Sequence, residues 1–112
     1  AAVTDAHLLY EGSLSMVRHL VELAGLVEYQ QIDVYNITTG ARFTTYAILG
    51  EPHTGIIQVN GAAAHLAKTG DLIIIASFAQ IPQEDGPHWK PKLVFVDRQN
   101  RPTSDKPALL PV

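Results

Sequence analysis

The sequence contains no cysteine in its 112 residues. Disulfides and thiolate metal or nucleophile sites are therefore excluded, and folding needs no oxidising compartment, which makes the cytoplasm the default expectation. Long apolar runs are also missing. Leu72 to Ala76, among the longest, is about a quarter of the roughly 20 residues that cross a bilayer, and no basic and apolar leader precedes the first element. A soluble chain without a membrane partner is expected. Nor is charge of one sign concentrated: the formal net charge of -3 and the pI near 5.9 come from scattered acids and bases. The clustered Lys/Arg footprint of a nucleic-acid binder is absent, so nucleic acid is not an expected partner. The chain opens at Ala1-Ala2-Val3 without an initiator Met, as in a processed product or a chain without its natural start.

What is present is an ordinary globular composition, 46% hydrophobic and 17% charged, of a length that supports one core. A single domain over residues 1–112 is expected, with a Pro-rich tail from about 101 that need not be ordered. Along the chain, Met16, Val17, Leu20, Val21, Leu23 and Ala24 recur at helical spacing, with Gly25 where a left-handed C-cap is favoured. That predicts a short helix over 15–24, for which Ser13 or Ser15 would be an N-cap. Gln31 to Thr38 and Arg42 to Leu49 are β-branched and aromatic runs around Thr39-Gly40, the pattern of a hairpin. Gly50 to Gly55 reads as a loop, Ile56 to Val59 as a brief strand, Asn60-Gly61 as a turn, and Ala62 to Ala67 as one or two helical turns. Asp71 to Phe78 reads as a continuous buried strand at the spine of the core, Pro82 to Pro91 as a polar connection, and Leu93 to Val96 as a last strand. Many short strands with two small helices favour a closed barrel over a sandwich, because closure removes sheet edges.

Common catalytic signatures are missing. His7, His19, His53, His65 and His88 are far apart with no metal-ligand spacing, so no metal site is expected. Gly12-Ser13-Leu14 lacks the second Gly of a hydrolase elbow, and Asn60-Gly61-Ala62-Ala63-Ala64 has neither phosphate-binding Gly pattern. Tyr10-Glu11-Gly12-Ser13 does hold one chemistry of its own. A Gly carbonyl followed by a Ser hydroxyl allows an N-to-O acyl shift, then β-elimination and hydrolysis to a pyruvoyl-capped chain, with the flexible Gly permitting the strained approach. The dipeptide by itself is common and equally compatible with a plain cap or turn.

Its company is more specific. Tyr10 to Ser13, Asn36 to Tyr46, Val59 to His65 and Gly70 to Phe78, in this order and spacing, closely resemble aspartate 1-decarboxylases, from about Thr4 to Phe95. The resemblance implies a mainly-β fold, a double-psi β-barrel with two or three short helices, assembled as a homotetramer with active sites between subunits. It also implies pyruvoyl-dependent decarboxylation of L-aspartate to β-alanine and CO2 in pantothenate biosynthesis. The chain would be made as a zymogen cleaved autocatalytically between Gly12 and Ser13. The cofactor would be the pyruvoyl group derived from Ser13, forming a Schiff base with the substrate amine and acting as electron sink.

Position by position, the resemblance makes Tyr46 the proton donor and Thr45 a holder of the oxyanion that also organises self-cleavage. Arg42 would grip a substrate carboxylate, with Asn60, Gly61, Ala62 and Ala63 lining the substrate. Each has a plainer reading: Tyr46 as a packing aromatic, Thr45 as a strand former, Arg42 as an exposed residue after a turn, Asn60 to Ala63 as a turn into a helix. This sequence departs from the pattern in two ways. Relatives begin about a dozen residues earlier, with a strand carrying a Lys and a nearby His, and they commonly carry Trp where Tyr35 stands. An uncleaved binding or assembly module, and a decarboxylase for another small acidic amino acid, are the alternatives these departures leave open.

Overall fold

The structure, a computed structural model, describes residues 1–7, 13–50, 55 and 57–103. Its main elements are β1 (Asp5–His7), β2 (Ser13–Val17), α1 (Arg18–Leu23), β3 (Gln31–Asn36), β4 (Arg42–Gly50), β5 (Ile57–Asn60) and β6 (Ile73–Ala76). Two 3-10 turns, Gly61–His65 and Gln83–His88, and a small pair, β7 (Phe95–Val96) and β8 (Pro102–Thr103), complete it. The expectation of a mainly-β chain with few short helices holds.

The sheet order is β1-β5-β2-β4-β3-β6. β2 sits between β5, to which it runs antiparallel, and β4, to which it runs parallel. Strands distant in sequence thus become neighbours, and parallel pairs of this kind require crossover connections. Ala1 to Val3 bridge to the segment that leads into β6: Val3 N donates to Asp71 O at 2.9 Å, Gly70 N to Val3 O at 2.8 Å, and Ile73 N to Ala1 O at 2.7 Å. These bonds tie the two ends of the strand order together, giving the sheet a barrel-like form.

Alternation fills the interior. Leu14 and Met16, Ile32 and Val34, and Ile57 and Val59 are all buried, joined by Ala47, Val3 and Ile73 and covered by Leu20 and Val21 of α1. Full burial of each such aliphatic side chain contributes about 1.5 to 3 kcal/mol, so these alternating pairs fix the register of β2, β3 and β5. By the same alternation Ser13, Ser15, Gln58, Asn60, Thr44 and Tyr46 belong to the opposite face.

The predicted hairpin is present, with β3 and β4 antiparallel and Tyr35 opposite Arg42. Its turn is held by Asn36, which is 2% exposed. The Asn36 side chain donates to Leu66 O at 2.9 Å and Asp71 Oδ2 at 2.8 Å, and accepts from Thr38 N at 3.0 Å and Thr39 N at 3.1 Å. Gly25 takes the left-handed conformation expected after a helix, with φ 73°.

Other expectations are corrected. The helix begins at Arg18, and 15–17 belongs to β2 instead; Val17 is its N-cap position and no side chain caps it, so neither Ser13 nor Ser15 is a cap. The apolar spacing fitted both periods, and partners on both sides of β2 decided for the strand. The 71–78 strand is shorter, Ile73–Ala76, and lies at the end of the strand order rather than at the spine; Ile74 is 47% and Phe78 74% exposed. The central position falls to β2 and β4. The last strand shrinks to Phe95–Val96, pairing with Pro102–Thr103 at the start of the expected tail.

Candidate active site

Ser13 opens β2 and is 1% exposed. It stands opposite Asn60 in the antiparallel register, and Ser15 stands opposite Gln58. Asn60 Nδ2 donates to Ser13 Oγ at 2.9 Å and to Ser15 Oγ at 3.0 Å. Asn60 Oδ1 in turn accepts from Gln58 Nε2 at 2.8 Å. The four side chains form one polar ladder across β2 and β5, which is how a buried hydroxyl and a buried amide are satisfied away from water.

Asn60 ends β5, and Gly61 then turns the chain with φ 64°, a conformation that favours glycine. Gly61, Ala62 and Ala63 begin the 3-10 turn directly beyond the Ser13 pairing, with Gly61 and Ala63 buried and Ala62 exposed.

On the other flank of β2, Leu14 pairs with Ala47 in β4. One residue earlier in both parallel strands brings Tyr46 beside Ser13, and alternation places it on the face of Ser13 and Asn60. The Tyr46 ring lies 6.4 Å from that of Tyr29, tilted by 45°. Tyr29, Gln31, Thr44, Thr45 and Tyr46 line an open recess there. Thr45 shares that recess, but in register it faces Ile32, with the core-side residues of β4.

Arg42 is placed differently. It lies at the start of β4, exposed, with its guanidinium 4.6 Å from the centre of the Tyr35 ring. Four residues of strand separate it from Tyr46, about 13 Å at the usual rise per residue. The structure therefore gathers Ser13, Asn60, Gly61 and Tyr46 and leaves Arg42 apart from them. Gly12, the other half of the expected cleavage site, lies outside the described residues.

A family model described as aspartate decarboxylase matches residues 1–103. The chain belongs to the aspartate decarboxylase family. It is 55% identical over 101 residues to the aspartate 1-decarboxylase of Albidiferax ferrireducens, covering 90% of this chain and 75% of that protein. With that of Myxococcus xanthus it shares 50% over 101 residues, covering 90% and 78%. With that of Thermoanaerobacter pseudethanolicus it shares 48% over 104 residues, covering 93% and 89%.

All the candidate residues lie within the span matched by the family model. Sequence reasoning missed three neighbours: Ser15 and Gln58, which hold Asn60, and Tyr29, which packs on Tyr46. Ser13/Ser15 and Gln58/Asn60 are each two residues apart, a period-2 polar signal opposite Leu14/Met16 and Ile57/Val59. Reading 15–24 as a helix concealed it. Tyr29 carried no such signal, since its ring reaches Tyr46 only once 29 and 46 are folded together.

Proposed function

We propose that the chain is an aspartate 1-decarboxylase: it removes the α-carboxylate of L-aspartate as CO2 and leaves β-alanine, for pantothenate synthesis. Its electron-accepting carbonyl is made from Ser13 by cleavage of the Gly12–Ser13 bond. The observation that carries this reading is the buried Ser13 hydroxyl held by Asn60, between the strand of Tyr46 and the turn at Gly61. The fit to a pyruvoyl group is good on chemical grounds: residue 13 is buried beside the Asn60 amide, whose N–H groups can donate to a carbonyl formed there, and Gly61 keeps one side free of a Cβ.

A pyruvoyl group supplies a ketone carbonyl that takes up the substrate amine and the electron pair released with CO2. The chain's own residues do the rest. Tyr46 holds a proton at Oη for the substrate carbon that loses CO2, a role that requires it beside residue 13, as the register has it. The backbone of Gly61, Ala62 and Ala63 lines the substrate, and Thr45 shares the recess of Tyr46. Arg42 offers a planar fork to the remaining carboxylate, with Tyr35 stacked on it to fix the plane.

Aspartate is far shorter than the separation of Arg42 from Tyr46 within one chain. We place Arg42 at a site shared between copies, as the expected homotetramer with active sites between subunits would have it. The absence of cysteine suits a cytoplasmic enzyme. Intact-protein mass spectrometry with and without heating tests the reading, alongside turnover of aspartate, glutamate and cysteine sulfinate. Two fragments, one carrying a pyruvoyl mass, and β-alanine from aspartate are expected, with both lost in Ser13→Ala. Active protein of unbroken mass overturns the reading.

A further inference from the structure

We propose that Ser15 and Gln58 are positioning residues for cleavage of the Gly12–Ser13 bond: together they lock the Asn60 amide so that one of its N–H groups stays on Ser13 Oγ. The inference deepens the reading above and rests on it.

A primary amide has two N–H donors and one carbonyl acceptor. Every face of the Asn60 amide is used. One N–H goes to Ser13 Oγ at 2.9 Å, the donor contact to Ser15 Oγ is 3.0 Å, and the carbonyl accepts from Gln58 at 2.8 Å. Asn60 is 5% exposed, so water does not readily replace a lost partner. Turning the amide over would set its NH2 against the Gln58 donor and its oxygen against both hydroxyls. Gln58 opposes that turn, while Ser15, whose hydroxyl can donate or accept, anchors the amide's other contact. The cross-strand pairing of Ser15 with Gln58, next to that of Ser13 with Asn60, builds the clamp into the sheet.

The orientation matters because of what the hydroxyl must do. In the acyl shift a bond forms from Ser13 Oγ to the Gly12 carbonyl carbon, the Gly12–Ser13 C–N bond breaks, and the hydroxyl proton ends on the Ser13 nitrogen. An Asn60 N–H donated to Oγ fixes the oxygen without itself accepting that proton. An inverted amide would instead take the proton as an acceptor and hold it.

The test is the rate of cleavage of the purified chain, followed by intact mass at a temperature below the melting point of every variant used. Ser15→Ala and Gln58→Leu are expected to cleave about tenfold more slowly, the scale of one hydrogen bond. Gln58→Glu, which cannot donate to Asn60 Oδ1 and favours the inverted amide, is expected to be at least as slow. Ser15→Thr, which keeps the hydroxyl in a strand, restores the wild-type rate. Should Ser15→Ala not melt cooperatively, the two Gln58 variants and Ser15→Thr decide. Rates within about twofold of wild type in Ser15→Ala and Gln58→Leu, or in Gln58→Leu and Gln58→Glu, overturn the clamp while leaving the enzyme reading intact, since a lost hydrogen bond should exceed that. A wild-type chain that never cleaves overturns the processing reading, and the clamp with it.

Discussion

Replacing Asn36 by alanine removes the side chain that holds the β3–β4 turn, and its cost can be worked from the four bonds it makes. Two are donated, to Leu66 O and to Asp71 Oδ2, and two are accepted, from Thr38 N and Thr39 N. Thr38 and Thr39 are exposed, so their N–H groups rehydrate and add little. The bond to Leu66 is worth about 1 kcal/mol and the bond to the charged Asp71 about 1.5 to 3 kcal/mol. Asp71 is partly exposed, which places it at the lower end. A loss of about 2.5 kcal/mol is therefore expected, a large share of the roughly 5 to 15 kcal/mol by which domains are stable. Urea denaturation at neutral pH reads it as a lower midpoint at unchanged slope.

The same substitution changes the pH dependence. The Lys68 backbone N–H, followed by the Asn36 side chain, holds the Asp71 carboxyl below its ordinary value. A carboxyl lowered in the folded state adds stability in full above its unfolded value, and that contribution is lost as pH falls through the folded one. Asn36→Ala removes one of the two hydrogen bonds, so the variant should lose less of its stability on acidification than wild type. A loss at neutral pH below about 1 kcal/mol, or an acid slope equal to that of wild type, would refute this account of the turn.

Three further outcomes follow from the site and its support. Tyr46→Phe keeps the ring against Tyr29 and removes the proton, so kcat should fall by about 10²- to 10⁴-fold while mass spectrometry still shows the cleaved chain. Arg42→Lys loses the planar fork and its stacking on Tyr35, and steady-state kinetics should show KM for aspartate raised about tenfold with kcat less affected. Gly55→Ala forces a side chain onto a residue with φ 65°, with its Cβ 2.6 Å from the Gln99 carbonyl oxygen. Strain and overlap together should destabilise by about 2 to 4 kcal/mol in thermal or urea unfolding.

The parts of the fold legible in the sequence were those that local chemistry dictates. The hairpin of β3 and β4, the left-handed Gly25 and the turn at Asn60-Gly61 all rest on residues a few positions apart. The motifs from Asn36 to Tyr46 and from Val59 to His65 carried the family, and Ser13, Tyr46 and Asn60 with it. The errors share one physical cause. Apolar spacing in 15–24 fits a helix until β4 and β5 are placed on either side of Ser13–Val17, and Asp71 to Phe78 looks like a core strand until the strand order puts Ile73–Ala76 at one end.

By itself, then, the sequence determined the class of fold and the family, and pointed to Ser13, whose hydroxyl the proposed processing would use. Tertiary structure alone decided how that hydroxyl is held. Pairing β2 with β5 brings Ser13 and Ser15 to Asn60 across separations of 47 and 45 residues, and pairing β2 with β4 sets Tyr46 beside Ser13. The same strand sets Arg42 four residues from Tyr46, about 13 Å along β4. Strand register is a property of contacts between distant segments, so no local pattern of residues contains it.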